Sequence, residues 1–308
     1  MSETSSSKVH DGCIKVFKHS SQVLGCEMNF SVFIPKQTTK DQQFPQLYFL
    51  SGLTCNHENF VQKSCALKRA SELQIVLICP DTSPRNLKIE GEDESWDFGS
   101  GAGFYVDATE EKWKNYQMYT CKHCAICHSM GGHGALSIAL KNPGKYKSVS
   151  AFAPISNPVN CPWGQKAFTG YLGTDKETWN KYDSAYLIEH YKNREVLNIL
   201  VDQGDEDKFY KEKQLLVESL ASVVNPSVKL QLRIQSGYDH RNNELLNKRE
   251  DSDEINRKLR VKSAITYIRG KRGYGRGGKN NRGGGSSGGG GGRGGGEYGN
   301  GGIRSGTL

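Results

Sequence analysis

Six short apolar runs, each closed by a turn residue, constrain this chain more than any other feature. Phe30–Ile34 stops at Pro35, Gln46–Leu50 at Ser51-Gly52, and Ile75–Cys79 at Pro80-Asp81. Ser148–Ala153, Val196–Val201 and Val228–Ile234 close in the same way on a Pro, an Asp-Gln-Gly and a Gly. Continuous apolar runs with β-branched residues suit strands covered on both faces, the habit of a parallel sheet between helix layers. Asn59–Leu73, Gly131–Lys141 (stopped by Pro143) and Phe209–Val223 are the helical candidates between them. The expected class is therefore α/β, a mostly parallel central sheet flanked by helices.

Two segments break the alternation. Residues 80–108 are rich in Gly, Asp and Glu with little periodicity, and loops of that length are usually functional or disordered. From Arg269 onward the chain carries eight Lys or Arg against one Glu, and 20 of the 36 glycines lie between Gly270 and Gly306. The formal net charge of +8 is thus concentrated in the last forty residues, leaving the body near neutral. The expected division is an α/β domain over 1–268 and a disordered Arg/Gly-rich tail over 269–308, a composition unable to bury a core. No stretch approaches the ~18 apolar residues of a membrane helix, and the polar start, Met1–Gly12, lacks an apolar signal region. Nine cysteines, an odd number, fit free thiols better than a disulfide framework. These features predict a cytoplasmic protein with no membrane attachment.

The sharpest local signal is Cys127-His128-Ser129-Met130-Gly131-Gly132-His133-Gly134. It is similar to the Gly-x-Ser-x-Gly nucleophile elbow, a strained strand-to-helix turn that lifts a serine hydroxyl off the sheet edge, with Cys127 at the first glycine. Gly132 and Gly134 would let the following helix pack closely on the sheet. Alone, such a pentapeptide reads better as a glycine-rich helix start with no chemistry. Context decides: hydrolases of this kind order their residues Ser, Asp or Glu, then His. The strand ending at Val201 runs into Asp202-Gln-Gly-Asp-Glu-Asp207, and the one ending at Ile234 into Gly237-Tyr-Asp-His240. All three candidates follow the carboxyl ends of strands, where α/β sheets bind ligands. Spacing leaves Asp205, Glu206 and Asp207 open as the acid. His128 should leave its strand on the face opposite Ser129, and His133 should pack or hydrogen-bond beneath the elbow.

Longer blocks carry a resemblance. Ser51-Gly-Leu-Thr-Cys55, Pro80-Asp-Thr-Ser-Pro-Arg85, Gly91-Glu-Asp-Glu-Ser-Trp-Asp-Phe98, His128-Ser-Met-Gly-Gly-His-Gly-Ala-Leu136, Cys161-Pro-Trp-Gly164 and Gly237-Tyr-Asp-His240 make residues 14 to about 240 similar to the S-formylglutathione hydrolase (esterase D) family. The resemblance implies an α/β-hydrolase fold and metal-free, cofactor-free hydrolysis of S-formylglutathione to glutathione and formate in formaldehyde detoxification, with general carboxylesterase activity. It implies a Ser129 nucleophile, a His240 base and Asp207, the last Asp of Gly-x-x-Asp-x-Phe, to orient that base. It further implies oxyanion donors at the Leu53 and Met130 N–H groups, a pocket lined by Cys55 and Trp163, and a homodimer.

The chain departs from the family twice. The family carries roughly twenty more residues between Tyr119 and the elbow, within a parallel crossover that needs about a dozen or more. Here Cys124–Cys127 must form a minimal strand, and residues 108–119 are expected to serve as the crossover helix. After His240 a charged run replaces the family's aromatic helix. A catalytically impaired hydrolase with an RNA-associating tail is the alternative. Arg276, Arg282 and Arg293 among Tyr274 and Tyr298 would give weak, salt-dependent RNA binding. The junction also sets Cys121, Cys124 and Cys127 at metal-like spacing, but Cys124 and Cys127 would face opposite sides of a strand, so no metal is expected.

Overall fold

The computed structural model describes residues 1–39, 42–118, 124–146, 148–223 and 225–240, without the side chains of 124–126. Among the described residues, nine strands form one sheet. In chain order they are β1 (Ser2–Lys8), β2 (Gly12–Ser21), β3 (Cys26–Pro35), β4 (Gln46–Leu50), β5 (Val76–Pro80), β6 (Cys124–His128), β7 (Ser148–Phe152), β8 (Leu197–Gly204) and β9 (Val228–Gln235). Their spatial order is β1-β2-β3-β5-β4-β6-β7-β8-β9. β1, β2, β3 and β5 pair antiparallel, and everything from β5 through β9 is parallel. The helices are α1 (Asn59–Lys63), α2 (Ala66–Leu73), α3 (Met130–Lys141), α4 (Pro162–Leu172), α5 (Lys176–Trp179), α6 (Ser184–His190), α7 (Lys208–Lys211) and α8 (Glu218–Ala221). This is the mostly parallel sheet flanked by helices that the apolar runs predict.

Alternation along the strands sends side chains into two cores. Leu47 and Phe49 of β4 join Leu77 and Cys79 of β5 and α2 in one cluster. Leu50 joins Val149, Ala151, Ile199, Val201 and the apolar face of α3 in the larger one. α3 is buried from Met130 through Leu140, so it lies at the centre of the domain with its N-terminus at the end of β6.

Several expectations need correction. Asn59–Leu73 is two helices, because Ser64 Oγ takes the Ala66 N–H (3.2 Å) and Cys65 turns left-handed at φ 48°. Phe209–Val223 is also interrupted: Lys213 and Leu216 have positive φ, and Leu215 and Val217 bury with a two-residue period that no helix provides. Residues 108–118 form no crossover helix. They make a 3-10 turn at Glu111–Trp113 and close into a loop through Ala108 N–H to Tyr116 O (2.8 Å), anchored by Trp113 and Tyr116 against Tyr171. The described part of the connection between β5 and β6 is residues 81–118. Part of it, Ala102–Val106, is buried. β1 and β2 are additional strands. β1 is polar and fully exposed, so no hydrophobic pattern announces it.

Cys124–His128 does form the short strand that the shortened segment allowed, pairing with β4 and β7. The cysteines Cys13, Cys26, Cys55, Cys65, Cys79, Cys127 and Cys161 are free thiols. The Cys121 thiol, the Cys124 side chain and the Arg/Gly tail lie outside the described residues. Among the described residues no helix is long and apolar enough to cross a membrane, and no cluster of His, Cys, Asp or Glu is arranged to hold a metal ion.

Candidate active site

Ser129 sits between β6 and α3 at φ 56° and ψ −121°, a strained conformation for a residue with a Cβ. Close packing holds it there. Its N–H donates to Phe152 O (2.8 Å), and its carbonyl accepts the first α3 bond, from His133 (3.1 Å). A Cβ on Gly131 would lie 2.1 Å from Leu50 O, so only glycine lets the first turn of α3 pass β4. Cys127, at the other small position, keeps its Cβ because its side chain is buried beside β4, where Sγ accepts the Leu50 N–H (3.3 Å). Gly132 packs on Pro154 and Ala151 at the sheet, but Gly134 packs on the Tyr105 ring of the crossover rather than on the sheet.

The acid left open by spacing is separated by hydrogen bonding. Asp205 accepts the Gly237 N–H (2.7 Å), and Glu206 pairs with Lys211. Asp207 is fully buried and divides its oxygens. Oδ1 caps α7 by accepting the Phe209 and Tyr210 N–H groups (2.8 and 3.3 Å). Oδ2 accepts from Gln203 Nε2 (2.9 Å) and stands 2.7 Å from His240 Nδ1. Burial pushes the Asp207 carboxyl up, yet the His240 and Gln203 hydrogen bonds outweigh it and leave the group below its ordinary value. His240 Nε2 lies 3.1 Å from Ser129 Oγ. Thus Ser129, His240 and Asp207, from three different strand ends, meet in one chain of contacts.

The 51–55 loop packs against this line. A Cβ on Gly52 would come within 3.1 Å of Ser129 Cβ. Four contacts fix the loop: Thr54 N–H to Gly101 O, Tyr105 OH to Ser51 O, and Thr82 Oγ1 and Arg85 Nη2 to Cys55 O. Met130 opens α3 directly after Ser129. Cys55 is half-buried, and burial raises its thiol above the ordinary range. Trp163 is the second residue of α4, its backbone N–H held by Gln214 Oε1 (2.9 Å). Its ring lies 4.5 Å from Phe209, whose ring stands edge-on to His240 at 4.7 Å. Trp96, from the 80–108 segment, is edge-on to Trp163 at 5.6 Å and is exposed. That segment thus brings Trp96 against Trp163. Phe209, Trp96 and Gln203 were not identified from sequence as site residues. Phe209 was visible only as the closing residue of Gly-x-x-Asp-x-Phe.

His128 also departs from expectation. The period of two ends with the strand, and the positive φ of Ser129 turns the chain. His128 Nε2 reaches the backbone carbonyl of His240 (2.8 Å), and the two rings lie 4.8 Å apart. Burial first, and His240 second, hold the His128 imidazole at about 3, so it is neutral. His133 does pack beneath the elbow, between Phe104 and Phe168. Backbone groups of Phe104 and Ile155 lie beside it, but neither ring nitrogen has a hydrogen-bond partner among the described residues.

Comparison with known proteins gives the family of this chain. The Esterase family model matches residues 21–120 and 113–245, two pieces that meet at the shortened crossover. S-formylglutathione hydrolase of Bos taurus is 50% identical over 260 residues, covering 78% of this chain and 92% of that protein. The Arabidopsis thaliana protein of the same name is 49% identical over 259 residues, covering 78% and 91%. The chain belongs to the S-formylglutathione hydrolase family. Among solved structures, an S-formylglutathione hydrolase from Agrobacterium tumefaciens superposes with a TM-score of 0.73 at 35% identity, covering 87% of this chain and all of that one. A fluorophosphonate-binding serine hydrolase from Staphylococcus aureus shares the fold alone, with a TM-score of 0.57 at 16% identity over 84% and 99% of the two chains.

Proposed function

We propose that this hydrolase cleaves the thioester S-formylglutathione to glutathione and formate, with general carboxylesterase activity, through Ser129, His240 and Asp207. One observation carries the assignment of residues: His240 spans Ser129 and Asp207 with 3.1 and 2.7 Å contacts. A serine hydroxyl is a weak nucleophile until an imidazole takes its proton, and a buried carboxylate fixes that imidazole's tautomer and stabilises the imidazolium formed. In this reading His240 Nδ1–H donates to Asp207, leaving Nε2 to accept the Ser129 proton as Oγ attacks the thioester carbonyl. The N–H groups of Leu53 and Met130 receive the oxyanion, at about 3–4 kcal/mol per donor in comparable hydrolases. Collapse expels glutathione as the thiol, with His240 returning the proton. Water then repeats the sequence on the formyl ester of Ser129. The reaction as written requires no metal or cofactor. Trp163, Phe209 and Cys55 line the acyl and leaving-group side.

Purified protein assayed on S-formylglutathione and on a small aryl acetate tests this. The expected result is turnover of both, abolished in Ser129→Ala. Inertness of the wild type toward both leaves the impaired-hydrolase alternative, which the intact Ser129–His240–Asp207 contacts disfavour. The further elements of the proposal are a cytoplasmic location, a homodimer and a weak salt-dependent affinity of residues 269–308 for RNA. Light scattering reads the dimer, and nucleic-acid filter binding with and without the tail reads the last.

A further inference from the structure

We propose that His128, the residue before the elbow serine, is a positioning residue for His240: its Nε2–H binds the His240 carbonyl and fixes the base's backbone while Asp207 fixes its ring. The inference rests on the reading of His240 as the base.

The loop carrying His240 is tied to the acidic turn on its N-terminal side. Asp205 N–H donates to Gln235 O (3.1 Å), Gly237 N–H to Asp205 Oδ1 (2.7 Å) and Glu206 N–H to Tyr238 O (3.0 Å). None of these bonds reaches His240 itself. Among the described residues, the backbone of His240 is held by the His128 ring at 2.8 Å. The acceptor is a carbonyl oxygen, which takes a proton donor only. A neutral imidazole has one N–H, so the proton of His128 sits on Nε2 and its Nδ1 is an acceptor. The other edge of the ring faces the 51–55 loop, where a Cβ on Gly52 would lie 3.4 Å from His128 Nδ1. His128 is thus wedged between the loop beside Ser129 and the loop that carries His240. One half-buried side chain sets their spacing.

The chemistry requires this wedge to be neutral. His240 acquires a positive charge in each half-reaction, and a second imidazolium 4.8 Å away would oppose it. Desolvation keeps His128 uncharged at neutral pH. It is consequently a poor proton acceptor, and its one N–H is committed. His128 therefore works through His240 and not on substrate. Displacing a catalytic group by about 1 Å can cost a factor of ~100 in rate.

The test compares His128→Phe, which keeps a ring without a donor, with His128→Gln, whose Nε2 amide extends to the position of the imidazole Nε2–H. With an aryl acetate, His128→Phe should lose about 10- to 100-fold in kcat with little change in KM, and His128→Gln should recover most of it. Thermal melting establishes that both variants are folded. His128→Asn, too short to reach the carbonyl, replaces Phe if that variant does not fold. Equal kcat in the wild type and the donor-less variant, or no recovery with Gln, overturns the proposal. An independent readout needs no turnover: imidazole nitrogen NMR should show His128 as the neutral Nε2–H tautomer down to pH 5. A His128 that titrates near pH 6.5, or carries its proton on Nδ1, overturns the proposal whether or not the protein hydrolyses S-formylglutathione.

Discussion

Gly131 lies so close to the carbonyl of Leu50 that a Cβ at this position would sit 2.1 Å from its oxygen. Both partners of that clash are backbone, so no side-chain rotation relieves it. Gly131→Ala must move α3 away from β4, and Ser129 moves with it. The expected outcome is destabilisation of about 3 kcal/mol or more, read by denaturant unfolding. Any folded fraction should label with a fluorophosphonate far more slowly than the wild type. Normal stability and labelling would show that the elbow is looser than this contact implies.

Asp207→Asn separates orientation from packing. The amide can still cap α7, because Oδ1 alone accepts the Phe209 and Tyr210 N–H groups. At Oδ2 the amide must choose between facing Gln203 Nε2 and facing His240 Nδ1, and it no longer enforces the Nδ1–H tautomer. A comparable substitution in a serine protease triad costs about 10⁴ in kcat. The prediction is a loss of that order, with a melting temperature close to wild type. A loss below tenfold would remove Asp207 from the mechanism.

Much of this site is legible in the sequence because it depends on local rules. Ser129 follows a small-residue turn pattern, and His240 falls just past a strand of continuous apolar residues. Asp207 was specified only by the family resemblance, since three acids in a row share one turn. The hydrogen bonds that divide them involve Gly237 and His240, more than thirty positions away. His128 was misassigned for a related reason. Alternation describes a residue inside a strand, whereas His128 is the last residue of β6 and faces a loop brought in from the far end of the chain. The exposed strand β1 and the broken helix at Ser64-Cys65 escaped detection because one has no apolar pattern and the other breaks on a single side-chain bond.

Imidazoles held neutral chiefly by desolvation make the fold acid-labile: His133 is buried, His128 half-buried, and buried His57 is shifted the same way. His128 is held down at about 3 and His133 at about 4, in both cases chiefly by burial. Each therefore binds fewer protons folded than unfolded between its depressed value and the ordinary 6.5. Stability then falls as pH is lowered through that window, by up to about 1.4 kcal/mol per unit per ring. Denaturant unfolding at pH 7 and pH 5 should differ by roughly 2 kcal/mol for each imidazole. His133, whose ring nitrogens have no partner among the described residues, is the one to remove. His133→Leu should flatten the acid limb by about one proton. Asp207, whose carboxyl is held below its ordinary 3.8, keeps its stabilising contribution above that value and loses it only as pH falls further. An unchanged pH slope in His133→Leu would mean that the ring is solvated.

Thiol reagents should inhibit through Cys55. Its carbonyl is clamped by Thr82 and Arg85, so an adduct on its side chain cannot be absorbed by moving the loop outward. The strain passes instead toward Gly52 and Leu53, beside Ser129. Burial raises the Cys55 thiol, with Lys63 and Arg85 only partly offsetting it, so the thiolate is scarce at neutral pH. Inhibition by a maleimide should therefore be slow at pH 7 and accelerate as pH rises, whereas a mercurial should act readily. Displacing one oxyanion donor costs about 3–4 kcal/mol, a rate factor of hundreds. Cys65 is the exposed cysteine among the described residues and should be modified first, without loss of activity. Cys55→Ser should keep most of the wild-type rate and abolish the inhibition. If inhibition persists unchanged in that variant, the sensitive thiol lies at the elbow instead, where Cys127 accepts the Leu50 N–H directly before His128 and Ser129.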